Sequence, residues 1–347
     1  MSEHQFAIWE DKIQQFPTPY EDLLNLSPCF QVQSAFIKHY HKFHGYGTFN
    51  VYKNIMVSIS GGSDSDVMLD MIERIGYPKG AVHYVFFNTG IEFQATRRHI
   101  KDLECKYGIN IEELRAETPT TIACKRYGQP FLSKQISENI SRLQRHGFHW
   151  VDKPFDVLKE EYPNCESPLR WWCNEWGENS RQNINKRKWL KEFMIENPPT
   201  FPISQQCCQK SKKDTAHNYS KKLNPDLDVE GIRKAEGGAR AVAYKSCFDD
   251  VEFGCSRLRP LFWFTDDDKK KYCETFDVEY SECYTKYGLK RTGCACCPFG
   301  RDFEAELKAA EKYEPNLYKV ACATFGNSYK YTRAYKKFRR QKEALHG

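Results

Sequence analysis

Hydrophobic positions in this chain form short continuous runs that alternate with helical stripes. Apolar and β-branched residues dominate 53–60 and 81–88, which is the pattern of buried strands, and a weaker run covers 109–114. A stripe at helical spacing follows the first run, and a helix over 96–105 follows the second. Alternating strands and helices predict an α/β fold with a Rossmann-like, doubly wound parallel sheet.

The pattern changes along the chain and divides it into regions. Residues 1–50 carry an irregular apolar stripe and predict a helical N-terminal cap. The α/β pattern extends over 51–300, with a further strand expected at 226–233. A tryptophan-rich, highly charged stretch interrupts it at about 130–199, and we interpret this stretch as a helical insertion. Residues 301–347 predict a basic, helical C-terminal region.

The turn after the first strand carries the most specific chemistry. It reads Ser60-Gly61-Gly62-Ser63-Asp64-Ser65 and joins a strand to a helix. Glycines allow a close backbone approach, while the first-turn N–H groups and the helix dipole attract an anion. The serine hydroxyls add donors, and Asp64 or Asp66 is suited to hold Mg²⁺ near phosphates. A polar turn with capping serines is the alternative interpretation.

Composition narrows the class of protein. The 347 residues are 40% hydrophobic with a net charge of +6, and no stretch approaches the ~20 apolar residues of a membrane span. The sequence MSEHQFAIWEDK at the N-terminus has no apolar signal core. We therefore expect a cytoplasmic protein with no membrane partner. In that compartment, fifteen cysteines indicate metal ligands and reduced thiols rather than disulfides.

Two cysteine groups stand out from the remaining thiols. Cys207 and Cys208 are adjacent, and Cys294 and Cys297 form a CxxC pair. A CxxC turn brings two thiolates together, which is a geometry that binds a soft metal or an iron–sulfur cluster. A structural Zn²⁺ site and unliganded buried thiols are the alternatives. Either Cys247 or Cys283 is a candidate to replace one member of the adjacent pair.

Three segments resemble one known superfamily. The 60–65 turn resembles the SGGxDS pyrophosphate-binding loop of the PP-loop ATP pyrophosphatases. FFNTGIEF at 86–93 resembles a strand-end motif of the phosphoadenylylsulfate (PAPS) reductase-like superfamily, and GIRKAEGGAR at 231–240 resembles its arginine segment. The resemblance covers roughly residues 50–300 and implies an adenine nucleotide alpha-hydrolase-like fold.

The resemblance also implies a binding site for ATP and Mg²⁺. The residues that would bind ATP are Ser60, Gly61, Gly62, Ser63, Asp64 and Ser65, together with Asn88, Thr89 and Gly90 at the end of the second strand. Arg233 and Arg240 would hold the anionic group of the nucleotide substrate, because a guanidinium binds phosphate or sulfate oxygens bidentately. Surface ion pairs are the alternative for both arginines. The candidate catalytic residues are therefore Ser63, Asp64, Arg233 and Arg240.

The cysteine arrangement resembles that of the adenylylsulfate reductases, in which an adjacent pair precedes a distant CxxC. In that family all four cysteines ligate a [4Fe–4S] cluster. The resemblance therefore implies that Cys207, Cys208, Cys294 and Cys297 are the cluster ligands in this chain.

Two departures bear on the function that the resemblance implies. Asn88 stands where the superfamily usually has aspartate, and no cysteine follows Cys322, whereas sulfonucleotide reductases carry a nucleophilic cysteine in a terminal ECG(L/I)H motif. We therefore expect hydrolysis of ATP to AMP and pyrophosphate, which adenylylates an acceptor during sulfur transfer, as in the similar DNA phosphorothioation proteins. A sulfonucleotide (APS/PAPS) reductase, or a non-catalytic nucleotide-binding subunit of a DNA-associated assembly, is the alternative.

The acceptor is suggested by the basic segment at 329–342, which holds seven lysines and arginines and no acid. Its basic face suits a phosphate backbone, although a solvated charged face is an equally ordinary interpretation. DNA or tRNA is therefore a candidate acceptor. A cysteine desulfurase, or another sulfur donor, is a candidate partner.

Overall fold

The computed structural model describes residues 52–75, 79–237, 243–249, 251 and 254–346. The predicted helical cap over 1–50 and the candidate residue Arg240 lie outside the described residues. The chain divides into two compact units. The sheet unit comprises the chain up to Phe87, Gln94–Leu114 and Ala216–Gly293. The helical unit comprises Asn88–Phe93, Arg115–Thr215 and Cys294–Gly347.

The described strands form one six-stranded sheet. Their bounds are β1 (Ile55–Ile59), β2 (Val82–Asn88), β3 (Ile111–Arg115), β4 (Leu227–Glu230), β5 (Phe248–Asp249) and β6 (Ser256–Leu258). The spatial order is β3-β2-β1-β4-β6-β5. β1 pairs in parallel with β2 and β4, and β4 pairs in parallel with β6, whereas the short edge strand β5 is antiparallel.

The helices follow the strands in the order that the sequence pattern predicts. Their bounds are α1 (Ser63–Ile75), α2 (Gln94–Tyr107), α3 (Thr120–Tyr127), α4 (Lys134–Arg145), α5 (Phe155–Glu161), α6 (Glu166–Cys173), α7 (Leu190–Glu196), α8 (Gln206–Cys208), α9 (Asp214–Leu223), α10 (Asp266–Phe276), α11 (Glu282–Thr285), α12 (Phe303–Tyr313) and α13 (Pro315–His346). Between α8 and α9, the backbone of Gln209–Lys213 is π-helical. None of the described helices combines the length and the apolar character that a membrane crossing needs.

The sheet is covered on both faces, which confirms the doubly wound α/β architecture. Alternate residues of β1, β2 and β4 point into one core, where they meet the apolar stripe of α1 and aromatic residues of α10. The opposite face packs Met56, Val85 and Phe87 against Ala216, Tyr219 and Leu223. The strand predicted over 226–233 is shorter in the structure, where it covers Leu227–Glu230.

The helical unit has its own core, built mainly from aromatic side chains. Trp171 and Trp172 are fully buried, and edge-to-face ring contacts join Trp172 to Phe148 and Trp150. Helices α4 to α7 lie in the region of the predicted insertion. The helix predicted at the C-terminus is present as α12 and α13, and Tyr335 of α13 belongs to this core.

Candidate nucleotide and thiol sites

The loop between β1 and α1 is built around two glycines that tolerate no side chain. Gly61 has φ +62°, and a Cβ there would lie 2.9 Å from Thr96 Cγ2. A Cβ on Gly62 would lie 2.8 Å from Thr292 Oγ1. The loop therefore brings bare backbone to the N-terminus of a thirteen-residue helix, where N–H groups and the dipole favour an anion.

Ser65 fixes the shape of this loop from the first turn of α1. Its buried hydroxyl accepts hydrogen bonds from the N–H groups of Ser60 and Gly62, both at 3.2 Å, and donates to Gly62 O at 2.9 Å. The hydroxyl of Ser65, a predicted ATP ligand, therefore holds the loop together by hydrogen bonds within it. Ser63, in contrast, contacts residues from distant parts of the sheet unit, since its N–H donates to Tyr284 Oη at 3.1 Å.

Two cations meet at Asp64. Arg233 Nε donates to Asp64 Oδ1 at 2.8 Å, and Lys269 Nζ donates to the same oxygen at 2.9 Å. Lys269 Nζ also lies 3.0 Å from Ser63 Oγ. Gly231 permits this approach, because a Cβ there would lie 3.3 Å from Ser65 Cα. The loop, Arg233 and Lys269 lie together in the sheet unit, and we call them the cationic cradle; in it both cations are paired with Asp64.

Arg233 is held on several sides. Its side chain is buried, with Nη2 donating to Asp266 Oδ1 at 2.9 Å and Nη1 donating to Phe264 O at 3.3 Å. The surface ion pair considered for Arg233 is therefore replaced by a buried guanidinium that pairs with Asp64 and with the exposed Asp266. The predicted partner Arg240 lies outside the described residues.

Sequence reasoning missed Lys269, which lies in a run of three lysines in α10. The run by itself is typical of a solvated face. The available signal was the capping box of α10, in which Thr265 accepts from Asp268 N at 3.1 Å and fixes where the helix begins. Lys269 then lies 17% exposed against Asp64, whereas the neighbouring Lys270 is 72% exposed.

The second carboxylate of the loop helix, Asp66, is fully buried. Its Oδ2 lies 3.0 Å from His99 Nε2. Burial raises the pKa of the Asp66 carboxyl, and the hydrogen bond from His99 opposes this rise only in part. Of the two candidate Mg²⁺ ligands, Asp64 is therefore the one at the cradle, with the contacts from Arg233 and Lys269 both made at Oδ1.

The turn after β2, which was predicted to bind ATP, belongs to the helical unit. Its N–H groups donate hydrogen bonds to a carboxylate of the same chain. The buried carboxylate of Glu92 accepts hydrogen bonds from the N–H groups of Thr89 at 2.8 Å, Gly90 at 3.1 Å and Ile91 at 3.2 Å. Asn88 Oδ1 also accepts from Gly90 N at 2.8 Å. The Thr89 hydroxyl lies 3.2 Å from Cys294 Sγ.

The CxxC pair lies on a turn that is held by its backbone. Ala295 N donates to Ile91 O at 2.7 Å, and Cys296 N donates to Glu306 Oε2 at 2.8 Å. Cys296 adopts φ +58°, an unusual conformation for a side-chain-bearing residue. Cys294 and Cys297 are thereby presented from a strained but well-fixed turn.

The adjacent pair on α8 lies close to the CxxC pair within the helical unit. Cys207 is hydrogen-bonded to Cys124 and to Cys208, and the Cys124 contact raises the pKa of the Cys207 thiol. The pKa of Cys208 is raised by its hydrogen bond with Cys207 and by burial. Burial, followed by the charge of Glu92, raises the pKa of Cys294, to which Cys208 also contributes. Cys297 adds to the raised pKa of Cys207.

Hydrogen bonds and charge interactions thus link the four predicted ligands to one another and to Cys124, which sequence reasoning missed. Cys124 carries no CxxC spacing, so only its position on α3 beside α8 identifies it. Two lysines border the group, since Lys134 and Lys212 lower the pKa of Cys208. The alternative ligands Cys247 and Cys283 belong to the sheet unit, where Cys283 Sγ lies 3.4 Å from Thr96 Oγ1.

A metal requires several donors around one point. Within the described part of the chain, no group of three or more His, Cys, Asp or Glu side chains is arranged to hold a metal ion. The donor chemistry nevertheless fits a thiolate-bound group, because Cys124 and Cys297 raise the pKa of Cys207 and Cys207 raises the pKa of Cys208. A bound cation would offset these unfavourable charge interactions. Ligation requires these side chains to reorient.

Comparison with known proteins gives one extended match and several distant ones. The phosphoadenosine phosphosulfate reductase domain family matches residues 54–146 and 145–299. An uncharacterized protein of Methanocaldococcus jannaschii is 35% identical over 95 residues, which are 27% of this chain and 19% of that relative. The matched stretch thus spans about a fifth of that relative's length.

Two solved structures are similar at low identity. Phosphoadenylyl-sulfate (PAPS) reductase from Candida auris is 15% identical with a TM-score of 0.39, over 85% of this chain and 96% of that chain. The U34-tRNA thiolase NcsA from Methanococcus maripaludis, solved with its [4Fe–4S] cluster, is 16% identical with a TM-score of 0.36, over 89% of this chain and 79% of that chain. Since the family match covers well over half of the chain and includes the 60–65 loop, the chain belongs to the phosphoadenosine phosphosulfate reductase domain family.

Proposed function

We propose that this protein is a PP-loop ATP pyrophosphatase that adenylylates an acceptor during sulfur transfer. The acceptor is a nucleic acid, DNA or tRNA, and the sulfur comes from a donor such as a cysteine desulfurase. The family supports use of an adenine nucleotide or sulfonucleotide, while the choice of reaction rests on the residues of the two sites.

The observation that carries the proposal is the cationic cradle at the 60–65 loop. A triphosphate needs positive charge and N–H donors at close range, and the cradle supplies Lys269, Arg233 and a glycine-lined helix N-terminus. Asp64 holds both cations in place and keeps Oδ2 outside those contacts. Mg²⁺ bound at Asp64 would neutralise phosphate charge.

The reaction that this cradle supports is displacement at the α-phosphorus of ATP. An acceptor oxygen forms a bond to that phosphorus, the bond from the α-phosphorus to the bridging oxygen breaks, and pyrophosphate leaves with the electron pair. Lys269 and Arg233 would stabilise the negative charge that gathers on the leaving group. Ser63 Oγ, which lies 3.0 Å from Lys269 Nζ, would orient the same phosphates.

The thiols of the helical unit would hold a [4Fe–4S] cluster. Cys207, Cys208, Cys294 and Cys297 are the proposed ligands, with Cys124 as a neighbouring thiol. Bound there, the cluster supplies a thiophilic metal for handling sulfur. The Thr89 hydroxyl donates its proton to Glu92 Oε1 and lies 3.2 Å from Cys294 Sγ, so it would contact that sulfur and limit its orientation.

The test is pyrophosphate release from radiolabelled ATP by anaerobically purified protein. Mixed tRNA, single-stranded DNA and duplex DNA would be supplied separately, with a sulfur donor present or absent. We expect release of pyrophosphate that depends on one of these nucleic acids and on Mg²⁺. Absence of release with every acceptor, or sulfite formation from adenylylsulfate or its 3′-phosphate instead, would reject adenylylation in favour of binding alone or of sulfonucleotide reduction.

A further inference from the structure

A second cavity lies in the helical unit, apart from the residues considered so far. It has a volume of about 840 Å³ and is lined by the last turn of α3, the C-terminal half of α4 and the stretch 199–206. This volume is that of a pocket for a small organic ligand. We call it the Arg126–Arg145 pocket, after the two guanidinium groups in its lining.

The charge of the pocket is one-sided. Arg126 and Arg145 are both exposed, and no carboxylate of the described residues pairs with either. The lining contains no aspartate or glutamate. Other arginines of the same unit are neutralised, as Arg170 is by Glu166 at 2.8 Å and Arg333 by Glu304 at 2.8 Å. Both pocket arginines lie at helix C-termini, where the helix dipole favours a cation. The dipole explains the position of the arginines but does not explain why the pocket lining has no aspartate or glutamate.

The same pocket is rich in aromatic rings. Tyr127 and Phe201 are partly exposed in its wall, and the rings of Phe148 and Trp150 lie beneath them as buried lining. The Arg126 guanidinium lies 5.9 Å from the centroid of the Tyr127 ring. Guanidinium groups beside accessible rings bind phosphate and base together, which is how proteins hold unpaired nucleotides.

The pocket shares two elements with the thiol group. Helix α3 carries Cys124 and, two residues later, Arg126. Gln206 lines the pocket and immediately precedes Cys207 on α8. A nucleotide in the pocket would therefore contact the same two elements, α3 and α8, that carry Cys124 and Cys207.

We propose that the Arg126–Arg145 pocket binds one nucleotide of a single-stranded acceptor, with its phosphate on the two guanidinium groups and its base against Tyr127. The inference rests on the proposed function for the identity of the acceptor. It commits to single-stranded nucleic acid, because a base stacked within a duplex cannot reach a ring in a pocket wall.

The experiment is fluorescence anisotropy with the full chain and a labelled single strand of about twelve nucleotides, as DNA and as RNA. Arg126→Gln/Arg145→Gln should weaken binding at least tenfold. It should also reduce the slope of log affinity against log salt by about 0.7, since one single-strand phosphate contact is lost. Tyr127→Leu should weaken binding about tenfold, and Tyr127→Phe should restore it.

The matched control is Lys308→Gln/Lys312→Gln on α12, which removes two exposed charges from the same unit outside both the pocket and the basic segment 329–342. We expect its affinity for the single strand to stay within about twofold of the wild-type value. Equal losses in both double variants would overturn the proposal and assign binding to the general basic surface. Equal affinity for a duplex of the same sequence would also overturn it.

Failure of the pocket can be told apart from failure of the proposed function. ATP affinity of the wild-type protein is measured in parallel by equilibrium dialysis. If ATP binds and pyrophosphate is released while the pocket variants bind strands normally, the pocket inference fails alone. If wild-type protein binds no ATP, the proposed function fails, and the anisotropy series still decides whether the pocket binds nucleotides.

Discussion

The cradle in the sheet unit and the thiol group in the helical unit solve opposite electrostatic problems. At the cradle, Asp64 is already matched by Arg233 at 2.8 Å and Lys269 at 2.9 Å. At the thiol group, Cys124 raises the pKa of Cys207, Cys207 raises that of Cys208, and Cys208 adds to the raised pKa of Cys294. One site is arranged before its ligand arrives, whereas the other is a set of thiols whose ionisation needs a cation.

This difference teaches that the two sites should respond differently to substitution. In a preorganised cradle, each side chain contributes part of the binding free energy, so single changes should weaken binding by degrees. Thiols that share one metal act together, so the loss of any ligand should abolish the site. The predictions below test this contrast.

The largest effect is expected from removal of a proposed cluster ligand. Cys207→Ser or Cys294→Ser should lower the iron content of anaerobically purified protein to near zero, because a neutral serine hydroxyl does not replace a thiolate. Iron and acid-labile sulfide assays, with the visible absorption spectrum, provide the measurement. Cys105→Ser, an exposed thiol on α2, is the control and should keep its iron.

A different outcome would break the comparison. Wild-type protein with stoichiometric zinc and no iron would replace the cluster by a structural Zn²⁺ site. Wild-type protein without any metal would leave the thiols as an unliganded buried group. Cys124→Ser decides whether Cys124 is itself a ligand. The variant should lose metal only if Cys124 binds the metal, and should keep it if Cys124 is only a neighbouring thiol.

The next effect concerns the cradle, where two adjacent lysines form a natural pair for comparison. Lys269→Gln should lower ATP affinity about 10- to 100-fold, because a charge-assisted hydrogen bond to phosphate contributes about 1.5–3 kcal/mol. Lys270→Gln removes the same charge from the neighbouring position, where the side chain is 72% exposed, and should change affinity less than about twofold. Isothermal titration with ATP and Mg²⁺ is the measurement. Equal losses would mean that the lysine run acts only as a diffuse charge.

The loop site could largely be predicted from the sequence because its parts are contiguous. The β1 pattern, the two glycines and the stripe of α1 fall within one short stretch, and each has a local physical meaning. Arg233 could be predicted from its motif. Lys269 could not, because nothing in a run of three lysines distinguishes the one that is paired from the two that are solvated. Only the packing of α10 places Lys269 at Asp64.

The thiol group shows where sequence reasoning stops. Adjacency and CxxC spacing identified four cysteines, but Cys124 has no spacing signal and joins them only through the approach of α3 to α8. The Thr89-Gly90 turn was predicted to bind ATP, since turns after parallel strands commonly do. In the structure its N–H groups bind Glu92, a carboxylate that a strand-end motif alone does not assign to them.

Not every carboxylate of the sheet unit is paired as Asp64 is at the cradle. Asp228 on β4 has a buried Oδ1 without a hydrogen-bond partner among the described residues, and it faces Glu230, Arg257 and Arg259. Burial, with the charge of Glu230, raises the pKa of Asp228 to about 7. The native state then binds more protons than the unfolded state between the unfolded pKa of 3.8 and about pH 7, so stability falls as pH rises through this range.

Asp228→Asn should remove this dependence. The free energy of unfolding of the variant should exceed that of wild type by about 2 kcal/mol at pH 8 and by almost nothing at pH 4. The value at pH 8 discounts the pKa shift of Asp228 for its partial exposure. Urea unfolding at both pH values is the measurement. Asp249→Asn is the control of opposite sign, because the hydrogen bond from Arg259 lowers the pKa of Asp249 and its stabilisation is present above pH 4. A variant that is destabilised at pH 8 would show that Asp228 is paired when ionised.

The smallest effect separates backbone conformation from close packing at the loop. Gly61 and Gly108 have nearly the same φ, +62° and +60°, so alanine at either position costs about 1 kcal/mol for the left-handed conformation. Only at Gly61 would the new Cβ meet a neighbour, Thr96 Cγ2 at 2.9 Å, while nothing lies within 4 Å at Gly108. Thr96 is fully buried and β-branched, so it has little freedom to move away.

The free energy of unfolding should therefore fall by about 1 kcal/mol more for Gly61→Ala than for Gly108→Ala, and ATP affinity should fall only for Gly61→Ala. Equal destabilisation with unchanged ATP affinity would mean that the loop yields to the extra methyl group, and the cradle would then be less preorganised than its hydrogen bonds indicate.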